Sequence, residues 1–135
     1  MKKALSVVLM IAILLLCCSC GLSAENVKDR LKEMEENEEI HYALINKASL
    51  KEMKETVEKD RYEKFKGEIE KGYVISDKSS ATARATVLFF EETKDAKQTV
   101  EYLKDKNEDK KDFAIVRKGT TLIYGTEKLV KEIKK

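Results

Sequence analysis

The sequence lacks proline and tryptophan altogether and holds its three cysteines within the first 20 of its 135 residues. Beyond Cys20 the chain therefore has no cysteine pair to oxidise, no thiol nucleophile and no thiolate ligand for a metal. A domain without disulfides depends on its hydrophobic core, and about 115 residues can bury enough surface for that purpose. The absence of proline agrees with regular helices and strands, which proline would interrupt.

A surplus of charge of one sign is also missing. The chain has 27 basic and 25 acidic side chains, and Lys2 and Lys3 account for the whole difference. The rest of the chain is electrically balanced and has no basic footprint of the kind that binds nucleic acid or anionic lipid. We expect no nucleic-acid partner, and we interpret the dense, mixed charges as solvated helix faces.

The first 24 residues have the organisation of an export signal. Lys2 and Lys3 precede an uncharged stretch, residues 4–24, whose apolar centre is at residues 7–16. A basic start followed by a short apolar core is typical of a secretory signal peptide. The uncharged stretch approaches the roughly 20 residues of a membrane-spanning helix. Because residues 19–24 are mostly small or polar, we prefer a cleaved signal to a retained signal anchor.

Residues 14–21, Leu-Leu-Leu-Cys-Cys-Ser-Cys-Gly, resemble the lipobox of bacterial lipoproteins. In that family a small residue precedes a cysteine that receives a diacylglycerol group, and the signal is cut before that cysteine. Ser19 and Gly21 on either side of Cys20 fit the pattern. Cys17 departs from it, because leucine is usual three positions before the modified cysteine. The resemblance implies lipidation of Cys20.

Two alternatives to lipidation at Cys20 remain open. Cys18 has Leu15 three positions before it and is the second candidate for the lipid. A plain secretory signal, cut after Ser23 or Ala24, would leave no lipid at all. Both alternatives export the rest of the chain.

The resemblance divides the chain into a signal peptide at 1–19, a lipid-anchored tether at 20–24 and a single domain at 25–135. It implies a location on the extracytoplasmic face of a cell membrane. Two acyl chains hold a protein stably on a bilayer, whereas one does not. The resemblance covers only the first 21 residues, so the fold of the domain has to come from its own pattern.

Hydrophobic periodicity predicts nine elements in the domain. Ser49 and Glu52 form a capping box for the second helix, whose apolar spacing slips near Asp60. The expected helices are Glu25–Asn37, a segment from Ser49 that ends at Gly67 or Gly72, Lys94–Lys106 and a last one after Thr126. The expected apolar stripes are Val27, Leu31 and Met34 on the first helix and Ala96, Val100 and Leu103 on the third. The expected strands are Ile40–Ile45, Tyr73–Asp77, Ala81–Glu91, Phe113–Arg117 and Thr121–Tyr124.

This order predicts an α+β domain with a mostly antiparallel sheet and helices packed on one face. The middle six elements follow the βαββαβ order of ferredoxin-like folds. An N-terminal helix and a C-terminal strand and helix would be additions to that core. Residues 87–90, Val-Leu-Phe-Phe, are apolar on both faces, which predicts a central strand.

No catalytic, cofactor-binding or metal-binding set emerges from the pattern. His41 is the single histidine and lacks a recognisable orienting partner, so we expect a packing or surface role. Residues 105–109 begin like an EF-hand loop, but Lys110 and Val116 stand where glycine and glutamate are required. The glutamates of residues 35–39 are expected to point into water. We therefore predict no cofactor and no metal.

Six aromatic residues fall on the expected strands. A sheet of this kind can stack RNA bases, but the motif for such binding is absent and the charge is neutral. Aromatic residues alternating along strands are normally buried, so we expect them to pack in the core. They are Tyr42, Tyr73, Phe89, Phe90, Phe113 and Tyr124.

Taken together, the sequence predicts a lipid-anchored module that is not an enzyme and that binds an envelope protein or a small ligand. An envelope hydrolase or transferase with an unrecognised carboxylate site is an alternative. A purely structural spacer at the membrane is another. The pattern does not identify the partner.

Overall fold

The computed structural model describes residues 23–61 and 69–135, which form an α+β domain. Among the described residues there are four helices and a five-stranded sheet. The helices are α1 (Ala24–Glu36), α2 (Lys47–Arg61), α3 (Thr93–Lys106) and α4 (Glu127–Lys134). The strands are β1 (Ile40–Leu44), β2 (Ile69–Asp77), β3 (Arg84–Phe90), β4 (Phe113–Lys118) and β5 (Thr121–Thr126).

All neighbouring strands are antiparallel, in the order β1-β2-β3-β5-β4. The short hairpins β2–β3 and β4–β5 are neighbours in the sheet, as the sequence predicted. A register shift interrupts the β2–β3 pairing between Ile69 and Lys71. This arrangement leaves β1 and β4 at the two edges and β3 at the centre.

Local sequence explains where the first two helices begin. Ser23 caps α1, because its hydroxyl accepts a hydrogen bond from the Asn26 backbone N–H. The cap of α2 is Asn46 and not Ser49. The Asn46 side-chain oxygen accepts from the Ser49 backbone N–H at 2.8 Å, so the helix begins two residues before the predicted capping box. Asparagine and serine are cap residues of similar strength.

Helices cover both faces of the sheet, so the prediction of helices on one face was wrong. On one side, here called the first face, α1 and α4 pack against Ile75, Val87 and Ile123. On the opposite side, the second face, α2 and α3 pack against Leu88 and Leu122. Adjacent residues of a strand point to opposite faces. The doubly apolar β3 therefore needs a cover on each side.

The ferredoxin-like strand order is not the one observed. That order would place β1 beside β3 at the centre of the sheet, whereas β1 lies at the edge beside β2. A central strand is apolar on both faces, but His41 and Ala43 of β1 are exposed. One part of the expected topology is present, because β3, α3 and β4 form a split unit with β5 inserted between its strands.

Strand β2 is longer than predicted and begins at Ile69, which the sequence pattern placed on the preceding helix. Gly72 lies inside this strand and does not end a helix. A Cβ atom on Gly72 would lie 2.9 Å from side-chain carbons of Ile45 and Leu88 and 3.1 Å from one of Leu50. Gly72 thus allows α2 to approach the sheet closely.

Candidate functional site

A cavity of about 340 Å³ lies between α2, α3 and the second face of the sheet. We call it the interhelix cavity. Met53 and Val57 of α2 form one wall, and Tyr102 and Leu103 of α3 form the other. The floor comes from three strands and consists of Ile69, Leu88 and Tyr124.

The helical repeat explains why these side chains converge. Met53 and Val57 are four residues apart on α2, and Thr99 and Leu103 are four apart on α3, so each pair lies on one helix face. Tyr102 and Leu103 are only partly buried, whereas Leu88 is fully buried. The two helices therefore meet the sheet without closing the space between them.

Two threonine hydroxyls at the cavity are already bonded within their own helices. Thr56 donates to the Glu52 carbonyl and Thr99 donates to the Asp95 carbonyl, both at 2.8 Å. A hydroxyl that donates to the carbonyl four residues earlier has used its proton. These groups therefore add shape to the cavity rather than a free donor.

Tyr124 is the titratable group of the cavity floor. Burial raises the pKa of its phenol above the ordinary value of 10.0, the nearby Tyr102 raises it further, and a hydrogen bond with Thr86 opposes the rise. The phenol is therefore neutral at physiological pH. Serine, glutamate and lysine side chains from α2 also line the cavity, and these are Ser49, Glu52 and Lys54.

His41 lies far from this cavity, on the exposed side of edge strand β1. Its Nδ1 atom is 3.3 Å from a carboxylate oxygen of Glu35, and both side chains are solvent-accessible. The pair joins the end of α1 to β1 at the surface. This placement agrees with the packing or surface role expected for the histidine.

The two acidic segments, residues 35–39 and 105–109, lie where α1 and α3 end. Glu36, Glu38 and Glu39 are exposed at the turn after α1. Asn107 terminates α3, because its side-chain amide and its backbone N–H both donate to the Leu103 carbonyl. Within residues 23–61 and 69–135, no three histidine, cysteine or acidic side chains are grouped as metal ligands.

Three of the six strand aromatics, Tyr73, Phe89 and Phe90, are buried as predicted, whereas Tyr42, Phe113 and Tyr124 are only partly buried. On the first face, Tyr73 stands edge-on to Tyr42 and Phe89, with ring centroids 5.7 and 6.2 Å apart. Tyr73 and Phe89 are buried, and Phe90 is buried on the second face. Phe113 and Tyr124 form a tilted pair at 6.4 Å. Edge-on rings stabilise a core beyond their area alone.

Sequence reasoning missed the interhelix cavity. It identified Ala96, Val100 and Leu103 as the inward stripe of α3 but not Thr99 and Tyr102, which also face the sheet side. An additional signal was present, since Thr99 and Tyr102 are three residues apart and continue that stripe. The open space itself depends on the distance between α2 and α3. The spacing of apolar residues within each helix does not predict that distance.

The predicted lipid site, Cys20, and its alternative, Cys18, lie outside the described residues. None of the helices in the described part of the chain has the length and hydrophobicity of a membrane span. No protein-family model, curated protein or solved structure matches the chain significantly.

Proposed function

We propose that this chain is an extracytoplasmic lipoprotein, anchored through Cys20, whose domain binds a small apolar molecule in the interhelix cavity and is not an enzyme. The observation that carries the binding proposal is the cavity itself. Its walls and floor are mainly aliphatic and aromatic. Its volume of about 340 Å³ lies within the range of ordinary small-molecule sites.

The anchor is supported by the first 21 residues. They combine Lys2 and Lys3, an uncharged apolar core and a cysteine flanked by small residues. All three cysteines lie in this segment and none follows Cys20. Their position favours a role for the thiols in processing rather than in folding. Two acyl chains on Cys20 would hold the chain stably on a bilayer.

The binding proposal is supported by the chemistry of the cavity lining. Apolar side chains that border an open cavity lack the packing contacts of a filled core. A ligand that fills the space would recover those contacts. The hydroxyls of Thr56 and Thr99 are occupied within their helices, and the phenol of Tyr124 stays neutral. The cavity therefore offers mainly shape and apolar contact, with Glu52 and Lys54 of α2 as the charged side chains of its lining.

Lipidation is tested by radiolabelled fatty-acid incorporation and membrane fractionation of the full chain. Cys20→Ala should abolish incorporation and either release the protein or block its processing. Cys18→Ala is the matched control and should keep both properties. A Cys20→Ala protein that stays membrane-bound at normal size contradicts the anchor, and loss of label only in Cys18→Ala moves the lipid to Cys18.

Binding is tested with the uncharged fluorophore N-phenyl-1-naphthylamine, added to the released Cys20→Ala protein to avoid lipid background. Emission should rise when the probe enters the cavity. Val57→Phe places a ring inside the cavity and should remove the rise. Val74→Phe is the matched control, because Val74 is exposed and lies outside the lining. Equal emission from both variants, or none from the parent protein, would reject this cavity as the binding site.

A further inference from the structure

Strand directions define two ends of the domain. Leu44 ends β1 beside Tyr73, and the β4–β5 turn and the end of β3 lie at the same end of the sheet. At the opposite end Ile40 pairs with Asp77, and Thr126 pairs with Phe113. We call the end with Leu44 the tether end and the end with Asp77 the far end.

Helix α1 runs from the tether end to the far end. Its last turn is at the far end, because Met34 borders the same depression as Ile40, Asp77 and Leu129. Helix α4 starts at the far end after β5, and Arg30 of α1 donates to the Glu132 carbonyl near the close of α4. The two helices are therefore antiparallel. The beginning of α1, about 15 Å back from Met34 at 1.5 Å per residue, lies at the tether end.

The chain outside the described domain leaves from this same end. Residues 21–23 are all that separate Cys20 from the start of α1 at Ala24. Three extended residues span at most about 11 Å. A lipid on Cys20 would hold the tether end against the bilayer, with little freedom for the domain to turn over.

An exposed apolar side chain lies at that end. Leu44 is 59% exposed and Val74 is 42% exposed, and they are the exposed large hydrophobic side chains among the described residues. Ile45, Asn46 and Lys47 follow Leu44 in the chain. Tyr73 is the strand partner of Leu44, and the ammonium of Lys71 lies 5.9 Å from the centroid of the Tyr73 ring. An apolar side chain bordered by lysines suits the boundary between lipid headgroups and acyl chains, because lysine extends its charge toward the headgroups.

The far end has the opposite character. Four glutamates fall within five residues there, and Asp77 is at the same end. They are Glu35, Glu36, Glu38 and Glu39. An anionic leaflet repels such a cluster. Acids also occur at the tether end, as Glu70, Glu91 and Glu92, so the orientation is set by the short tether and by Leu44 rather than by net charge.

We propose that the tether end of the domain, including Leu44 on edge strand β1, lies against the lipid surface, and that the acidic far end faces away from the membrane. This orientation rests on the proposed anchoring at Cys20. It goes beyond anchoring because it names the surface of the domain that contacts the lipid, which the anchor alone does not specify. The partner that the tether end contacts is the bilayer itself.

The test uses the full lipidated chain. In that chain Cys20 is blocked by lipid and no other cysteine follows it, so a dye reacts only with an introduced cysteine. Single cysteines are introduced as Leu44→Cys at the tether end and Lys78→Cys at the far end, and each is labelled with nitrobenzoxadiazole. The proteins are reconstituted in vesicles of phosphatidylethanolamine and phosphatidylglycerol with a headgroup-proximal nitroxide lipid. The label at Leu44→Cys should lose most of its emission, and the label at Lys78→Cys should keep nearly all of it.

Lys47→Cys provides a second tether-end position in case Leu44→Cys does not fold, and it should be quenched as well. Equal quenching at both ends, or stronger quenching at Lys78→Cys, overturns the orientation. So does a Leu44→Cys label that is unquenched by lipid and instead transfers energy to a second labelled copy. Vesicle flotation is measured first, so that failure to float contradicts the anchor while flotation without tether-end quenching contradicts only the orientation.

Discussion

On the first face of the sheet, α1 and α4 bring Leu31, Val130 and Ile133 into a core that excludes solvent almost completely. On the second face, α2 and α3 leave the interhelix cavity, and Tyr102 and Leu103 remain partly exposed. The same strands serve both faces, so the difference arises in the helices. One layer is closely packed, whereas the other leaves the open space in which we propose that a ligand binds.

The largest expected effect compares two leucine truncations on helices. Leu31→Ala on the first face should cost about 3 kcal/mol or more of unfolding free energy, because it opens a hole in a filled core. Leu103→Ala on the second face should cost only about 1–2 kcal/mol, since that side chain is partly exposed and already borders open space. Urea denaturation of the two variants measures the difference. Equal losses would mean that the two layers are equally packed.

The second comparison adds one methylene to each layer. Val57→Leu should be neutral or stabilising by up to about 0.8 kcal/mol, because the cavity has room for the added group. Val130→Leu should destabilise by about 1–3 kcal/mol through overpacking. Both changes exchange valine for leucine on a helix, so the propensity gain is common to both. Thermal unfolding should order the variants Val57→Leu above Val130→Leu, and the reverse order would contradict the account of the cavity.

Each face of the sheet has a tyrosine with a raised pKa, so alkaline pH should affect stability through both faces. The pKa of Tyr124, on the second face, is raised chiefly by burial, and that of Tyr42, on the first face, by burial and then by Glu35. Because a raised folded pKa favours the protonated phenol, the stability from each is present below about pH 10 and lost as pH rises further. Salt should reduce the shift of Tyr42, whose carboxylate contribution is screened, more than that of Tyr124.

Ultraviolet titration of phenolate absorbance in Tyr42→Phe and Tyr124→Phe measures these shifts at low and high salt. The step that disappears in Tyr124→Phe should be the one whose midpoint is insensitive to salt. Urea midpoints should also fall less steeply above about pH 10 in Tyr124→Phe than in the parent. An unchanged slope in that variant would contradict the burial of the phenol.

Sequence periodicity predicted the elements better than their assembly. The stripe of Val27, Leu31 and Met34 in α1 was recognised, and all three side chains are buried. The central position of β3 was also inferred from its apolar run. Because both faces of β3 are apolar, the sheet needs a helix layer on each side. The expectation of helices on one face was inconsistent with that apolar pattern.

The strand order and the cavity were beyond the sequence pattern for a common reason. Whether β1 pairs with β2 or with β3 depends on contacts between distant segments, and alternation within a strand specifies only its faces. The interhelix cavity likewise depends on the separation of α2 and α3. Gly72 sets the approach of α2 to the sheet, yet in a sequence a glycine is equally typical of a helix end.

The pairing of α1 with α4 has a consequence for the order in which the domain can form. Arg30 and Glu132, which meet across these helices, are 102 residues apart in the chain. Helix α1 is synthesised before α4, and the part of its buried stripe that packs against α4 stays open until α4 follows. Contacts between such distant segments are slow to form. On the proposed export route this delay is useful. A chain that cannot complete this core early stays unfolded for longer and can still pass through a translocation pore.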